Sequence, residues 1–377
     1  MEGRSHKFAG ASRRVITSFP TYARRAEDGR WRVHVAGMVC RPLPATSRRR
    51  NVAIAVLKRL LDLDTDQARS PLFQHRADAF FFQRVAGQPV EVLIGGQRFA
   101  AGATDRVGHF SAVLELEDSL IERACDVAPG GRGRSIACRV ETVPQADELP
   151  VDREDASAAE GRIHVVEAEG LSVVSDIDDT VKDSNVIEKR ELLANTFIRE
   201  FRPIDDMVGA FRRLEAGGAA FHYVSASPWQ LASCLREFFE REGLPAGSMH
   251  LKLFRLKDST PLGRFPSRKR SKRRAIERIL ADFPGRRFLL VGDSGELDPE
   301  VYASVARRNP DRIAGIAIRL VHRGDAAMVV RHRLEKLARR LPEGMLAVFE
   351  RAEEAFPPDL LDGADGRGGH HGLSNAF

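Results

Sequence analysis

The chain has 377 residues, 43% of them hydrophobic and 30% charged, which is the composition of a soluble globular protein long enough for two domains. Its four cysteines, Cys40, Cys125, Cys138 and Cys234, lack paired spacing, which argues against a disulfide framework or a zinc site and for a reducing cytoplasm. No apolar run approaches the roughly 18 residues of a membrane span, the start MEGRSHKFAGASRR lacks the apolar core of a secretory signal, and the net charge of +6 favours anionic partners: nucleic acid, phosphorylated substrates or acidic lipid surfaces.

In chain order, residues 1–20 read as irregular and basic, and Trp31–Cys40 alternates as a strand. Arg48, Arg49 and Arg50 precede an amphipathic helix over Asn51–Leu63, with Ala53, Val56, Leu57, Leu60 and Leu61 on one face. A packed surface helix is preferred there over one lying on a membrane. A second helix is expected over 75–86, its phenylalanines Phe80, Phe81 and Phe82 in a core. Strands are expected at Pro89–Phe99, where Gly95-Gly96 can turn a hairpin, at His109–Glu117 and at Ser135–Val143. Gly130, Gly131 and Gly133 lack the flanking strand and helix of a nucleotide fingerprint and read as a loop.

Pro144–Gly161 is acidic, contains proline and is poor in large apolar residues, so it reads as a linker. Beyond it, strands (Leu171–Ser175, Ala219–Ser225, Met249–Phe254, Arg287–Val291, Ile313–Leu320) alternate with helices (near Lys189–Phe201, Ile204–Ala216, Trp229–Glu242, Lys272–Phe283, Pro299–Arg308). Gly217 and Gly218 end one helix in a left-handed cap, and Ser227 and Pro228 open the next. Residues 326–355 read as helical. The fold class is therefore α/β: a doubly wound parallel-sheet domain over 162–357, behind a strand-rich accessory domain with one or two helices over 1–143, with a linker over 144–161 and a disordered tail over 358–377.

Four segments carry chemistry. In LSVVSDIDDT (Leu171–Thr180) a buried strand runs into Asp176, Asp178 and Thr180, a D-x-D-x-T pattern at the end of a sheet strand, where open α/β sheets place their sites. A carboxylate at Asp176 can attack phosphorus, and one at Asp178 can act as acid and then base. In FHYVSASPWQ (Phe221–Gln230) the Ser225 hydroxyl and backbone N–H groups such as that of Ala226 form a phosphate cradle. Arg264, Arg268, Lys269, Arg270, Lys272, Arg273 and Arg274 crowd one stretch, and a lysine there, Lys272 or Lys269, can reach the phosphate. In FLLVGDSGELDPE (Phe288–Glu300) Asp293 follows a strand after Gly292, which allows a tight turn. Asp293 and Asp176 suit hard Mg²⁺, with Asp298 a further metal ligand or neighbour and Glu296 without a separable role. GDSG around a serine-protease nucleophile requires an all-β fold, which the strand–helix alternation excludes.

The four segments, in this order, resemble the haloacid-dehalogenase phosphatase superfamily. SDIDDTVKDSNV, FHYVSASPWQL, the Lys272 helix ending ILADFP, and FLLVGDSGELDPEVYA resemble more closely the catalytic domain of the actin-patch-protein phosphatidate phosphatase family, over roughly residues 162–322. FPTYARR, WRVHVAGMVCRP and GATDRVGHFSAVLEL are similar to that family's N-terminal region. The resemblance implies a Rossmann-like catalytic domain with Asp176 as nucleophile, Asp178 as acid/base, and phosphate held by Thr180, Ser225, Ala226 and Lys272. It implies Mg²⁺ on Asp176, the Asp178 carbonyl and Asp293, and hydrolysis of phosphatidate to diacylglycerol at a membrane surface by a cytoplasmic, peripheral enzyme. The Pro-rich actin-binding tail of the fungal members has no counterpart in this sequence, so no actin-linked partner is carried over. Two other readings stand beside it: the same mechanism on a nucleic-acid end, phosphoprotein or sugar phosphate, and a non-catalytic lipid-binding scaffold. Basic stretches without interleaved aromatics argue against single-strand nucleic acid. Segments 181–218 and 226–271 are mostly used by helices and one strand, which leaves the site thinly covered.

Overall fold

The computed structural model describes residues 14–127, 133–144, 158–252 and 268–356. A six-stranded parallel sheet has the order Ser248–Lys252, Ala220–Pro228, Gly170–Ser175, Arg286–Asp293, Ile313–Arg319, Leu346–Phe349. Chain order thus reverses direction between Gly170–Ser175 and Arg286–Asp293, which opens a crevice at their C-terminal ends. The central strand is buried on both faces because alternate residues serve different cores. Val173 packs with Phe211, Leu235 and Phe238 on one side, and Val174 packs with Ile276, Ile279 and Tyr302 on the other. The fold is mixed α/β, with helices against both faces of this sheet.

All five expected strands of this half form, with small shifts at their ends; Phe254 lies outside the described residues. The expectation of a purely helical 326–355 is corrected. The helix Gly324–Ala338 is followed by the buried edge strand Leu346–Phe349, whose four apolar residues are too few to show a period. At the Asp205–Ala216 helix only Gly218 is left-handed, at φ 84°, while Gly217 keeps a negative φ. Ser227 and Pro228 do not open a helix: both belong to the strand Ala220–Pro228, and the turn begins at Trp229. Gly292 makes no turn either. It lies within its strand, where a Cβ would sit 2.4 Å from an Asp298 carboxylate oxygen and 2.8 Å from the Tyr302 ring, so only glycine lets that carboxylate approach the backbone.

A second, ten-stranded sheet is built from residues 15–166. Expected strands appear as Trp31–Pro42, the Pro89–Ile94/Gln97–Ala103 hairpin through Gly95-Gly96, His109–Leu116 and Arg134–Thr142. Several expectations change. Val15–Ser18 and Thr21–Arg25 are strands where residues 1–20 and their sequel read as irregular; each is too short to show alternation. The helix expected over 75–86 is Pro71–Asp78, and Phe82–Arg84 leaves it to pair with Cys40–Pro42; with Arg48–Leu61, Thr65–Arg69 and Asp118–Ala124 the described residues of this half hold four helices where one or two were expected, the added two being too short to show a helical period. Phe81 is buried, as expected for a core residue. Ala158–Val166 is a strand between Thr21–Arg25 and Arg134–Thr142, so the end of the expected linker and the start of the expected second domain both join this sheet. Residues 145–157, Gly130, Gly131, Arg264 and the tail from 358 lie outside the described residues.

The two sheets share a polar-aromatic seam. Buried Tyr22 donates its hydroxyl to Asp282 at the end of the Arg268–Asp282 helix, and its ring lies against His34, His222, His250 and Phe283. Arg24 pairs with Asp282 at 3.2 Å, and the Met249 N–H reaches the Pro20 carbonyl at 2.9 Å. Ser248 Oγ bridges His222 Nδ1 (2.8 Å) and His250 Nε2 (3.0 Å).

Burial, with the neighbouring cations and His34, pushes His250 down to about 4. Burial, His250 and Arg286 push His222 well below the ordinary range. Both are neutral in the folded chain, whereas the unfolded chain protonates them near pH 6.5. The stability they contribute is therefore fully present above that pH and is lost as pH falls from about 6.5 towards 4. Urea unfolding should show a loss of about 2 kcal/mol per histidine, about 4 kcal/mol for the pair, between pH 7.5 and 5, and His250→Gln should remove about half of it. An unchanged pH profile in that variant would refute the assignment.

Candidate active site

The crevice at the sheet's C-terminal ends gathers the expected carboxylates. Asp176 follows Ser175 directly, and its N–H is tied to the Val291 carbonyl at 2.9 Å. Asp293 ends its own strand, and Asp298 opens the Asp298–Ala306 helix. Oxygens of Asp176, Asp293 and Asp298 lie within 4.8 Å of one another, and all three residues are buried.

Lys272 enters this cluster from the first turns of its helix. Its Nζ donates to Asp176 Oδ1 at 2.8 Å and to Asp298 Oδ1 at 2.5 Å. Of the two lysines that spacing left open, Lys272 is the one in contact with Asp176 and Asp298. Burial works against the Lys272 charge, but Asp176 and Asp298 outweigh it and hold the ammonium well above its usual range. The Tyr302 hydroxyl, with one proton to give, lies 3.0 Å from the Val291 carbonyl and 3.3 Å from Asp298 Oδ2.

Three carboxylates share one ammonium, which leaves an excess of two negative charges if all are ionised. Burial therefore pushes Asp176 well up; Lys272 opposes the shift, and Asp298, Glu296 and Asp293 reinforce it. Asp293 is driven up in the same way, first by burial and then by Asp298. Asp293 Oδ1 accepts the N–H groups of Gly295 (2.5 Å) and Glu296 (3.1 Å). Asp176 Oδ2 and Asp293 Oδ2 are buried with no hydrogen-bond partner. Two orphaned carboxylate oxygens facing a charge excess of two fit a divalent, oxygen-preferring cation.

Asp178 has the opposite environment. Lys182 Nζ lies 2.8 Å from its Oδ1, Ser184 donates to Oδ1 at 2.7 Å, and Ser227 and Ser225 donate to Oδ2 at 2.5 and 3.3 Å. Burial would raise this carboxyl, but the Lys182 charge and these hydrogen bonds prevail and pull it down to about 2. Ser225 Oγ also accepts the Ser227 N–H at 2.9 Å. Ala226 sits half-buried between the two serines. The Thr180 hydroxyl is fully buried and unpartnered. Asp176, Asp293, Asp298 and Lys272 thus form one cluster, and Asp178, two residues along the chain from Asp176, forms a second with Lys182, Ser184, Ser225 and Ser227.

Sequence reading missed Asp179, Lys182, Ser184 and the second role of Ser227. Asp179 adopts φ 54° and accepts three backbone N–H groups, from Ser184 (2.8 Å), Asn185 (2.8 Å) and Val186 (2.7 Å). It closes the loop that brings Lys182 and Ser184 back onto Asp178. The available signal was a lysine four residues after Asp178, in a stretch to which the sequence assigned no element. Asp179→Ala should cost about 2–4 kcal/mol, because three buried donors lose a charged acceptor and alanine fits the left-handed backbone less well than aspartate. Urea midpoints would measure this, and a loss below about 0.5 kcal/mol would refute it.

Residues 171–320 match the family described as phosphatidate phosphatase APP1, catalytic domain. An uncharacterized protein of Schizosaccharomyces pombe is 36% identical over 161 residues, 42% of this chain and 26% of that protein. The phosphatidate phosphatase APP1 of Saccharomyces cerevisiae is 34% identical over 154 residues, 40% of this chain and 26% of that protein. The chain thus covers about a quarter of the length of these two relatives. A crystal structure of a putative HAD-like phosphatase from Mesorhizobium loti is 13% identical, covering 56% of this chain and 98% of that one, with a TM-score of 0.29, too low to add to the architecture above. It is the strands and loops that build the carboxylate cluster that carry this likeness: residues 171–320 are similar to the catalytic domain of the phosphatidate phosphatase APP1 family.

Proposed function

We propose that the chain is a Mg²⁺-dependent phosphatidate phosphatase, with a doubly wound haloacid-dehalogenase-type domain that works through an aspartyl-phosphate. The observation that carries this reading is Lys272 bridging Asp176 and Asp298 beside two unpartnered carboxylate oxygens. An Asp176 oxygen attacks phosphorus, and the bond from phosphorus to the glycerol oxygen breaks. The leaving oxygen takes a proton from Asp178, and diacylglycerol departs. Water, deprotonated by Asp178, then attacks the phosphorus and frees phosphate and Asp176. Asp178 is held ionised by Lys182 in the free site, ready for the base half of the cycle. For the acid half, an arriving phosphate raises its proton affinity by placing negative charge beside it.

Ser225, the Ala226 N–H and Lys272 hold the phosphoryl oxygens, and the Thr180 hydroxyl offers a further donor. Mg²⁺ would be held by Asp176, Asp293 and the Asp178 carbonyl, with Asp298 beside it, and would neutralise charge on the transferring group. The strand-rich N-terminal half acts as an accessory domain. Among the described residues no helix is long and apolar enough to cross a membrane. The substrate is met at a bilayer surface, from the cytoplasmic side.

The test is phosphate release from phosphatidate in mixed micelles, with and without Mg²⁺, beside a soluble phosphomonoester. Asp176→Asn should lower release by about 10³-fold or more, and Lys272→Met by about 10²-fold or more. Chelation should abolish release, and added Mg²⁺ should restore it. Activity retained in Asp176→Asn would refute the nucleophile. Release from the soluble ester alone would keep the mechanism and replace the substrate.

A further inference from the structure

The helix Arg48–Leu61 has two apolar faces where sequence periodicity predicts one. Ile54 and Leu61 are buried, with Leu57 packed beside them, against Phe73, Ala77, Ala194 and Phe197. Val56 and Leu60, expected on that same face, point away from it. With Val52 they form a stripe at i, i+4 and i+8, exposed by 57% (Val52), 52% (Val56) and 57% (Leu60). Arg48, Arg49 and Arg59 fall on the same sector, are exposed, and have no ion pair among the described residues.

We propose that this face of the Arg48–Leu61 helix docks on an anionic lipid bilayer, with Val52, Val56 and Leu60 entering the headgroup region and the three arginines meeting lipid phosphates. An apolar stripe edged by uncompensated arginines matches a charged interface better than it matches water or a purely apolar partner surface. The arginine stems can lie along the apolar stripe while their guanidinium groups stay among the headgroups.

Position supports this occupant. The helix ends at Asp62, whose carboxylate pairs with Arg190 at 3.4 Å. Arg190 is three residues from exposed Ile187, on the loop that Asp179 closes. The neighbouring Val186 lies where a Cβ on Gly295 would meet it at 3.3 Å, and Leu297, also exposed, follows on that second catalytic loop. The end of the docking helix is therefore tied by one ion pair and a short run of chain to the two loops that border the carboxylate cluster. The part of the inference that concerns substrate delivery rests on the lipid-phosphatase reading; the docking itself does not.

The test is co-sedimentation of the full chain with phosphatidylcholine vesicles, with or without phosphatidylserine, which is not a phosphomonoester. The wild type should bind the vesicles that contain phosphatidylserine, and salt should weaken the binding. Val52→Ser/Val56→Ser/Leu60→Gln and Arg48→Gln/Arg49→Gln/Arg59→Gln should each weaken binding about tenfold or more. Both variants should hydrolyse a soluble phosphomonoester at the wild-type rate, which also reports folding, and both should lose activity on vesicle-borne phosphatidate. Vesicle binding retained in either variant, or absent in the wild type, overturns the proposal. A wild-type dimer that the apolar variant dissociates, without vesicle binding, would assign the stripe to a second copy of the chain and overturns it as well. Wild-type binding without phosphatidate hydrolysis would refute the lipid-phosphatase reading and leave the docking face standing.

Discussion

One buried ammonium organises the catalytic half. Lys272 lies between Asp176 and Asp298, and without it three carboxylates would face each other in a crevice closed to bulk water. Removing one partner of such a group leaves an uncompensated buried charge, so the lysine, its helix and both aspartates have to be placed together. That requirement explains Gly292, which clears space for the Asp298 carboxylate, and Tyr302, whose hydroxyl lies 3.3 Å from its second oxygen. It also explains the strand order, because only adjacent strands bring Asp176 and Asp293 to one edge of the sheet.

The same crevice keeps a second carboxylate in the opposite electrostatic state. Asp178 is only two residues from Asp176, yet Lys182, Ser184 and Ser227 hold it ionised, while burial and like charges drive Asp176 upward. A strand end separates the two by turning the backbone, and the Asp179 carboxylate locks that turn with three N–H groups. In the free site these shifts run opposite to the proposed roles of nucleophile and acid; a divalent cation on Asp176 would lower it, and an arriving phosphate would raise Asp178.

The front sheet is tied to this machinery on two sides. Tyr22 and its ring of histidines meet the far end of the Lys272 helix at Asp282. On the other side, Arg76 donates to the Thr196 and Arg199 carbonyls, and the helices Arg48–Leu61 and Pro71–Asp78 pack on Lys189–Phe197. The helix nearest the Asp179 loop therefore rests on the front helices, and the position of the crevice's rim depends on residues more than a hundred positions earlier in the chain.

The sequence by itself determined the strand–helix alternation after residue 170, five of the six parallel strands, and the segments that carry Asp176, Asp178, Ser225, Lys272, Asp293 and Asp298. Asp176, Ser225 and Asp293 stand at or near strand ends, where a switch from buried apolar to polar is visible locally. Val15–Ser18 and Leu346–Phe349 stayed hidden because four residues are too few to show a period, and the nine-residue Ala158–Val166 because its pattern is mixed. Tertiary structure alone decided that Lys272 and not Lys269 reaches Asp176, and that Ser227 serves Asp178 and not a helix end. It alone decided that Leu57 and Leu60, neighbours in the expected apolar face, point one into the protein and the other into solvent. Each of these is a question of which side chain meets which across the fold, and a one-dimensional pattern records the chemistry of a residue without the geometry that gives it a partner.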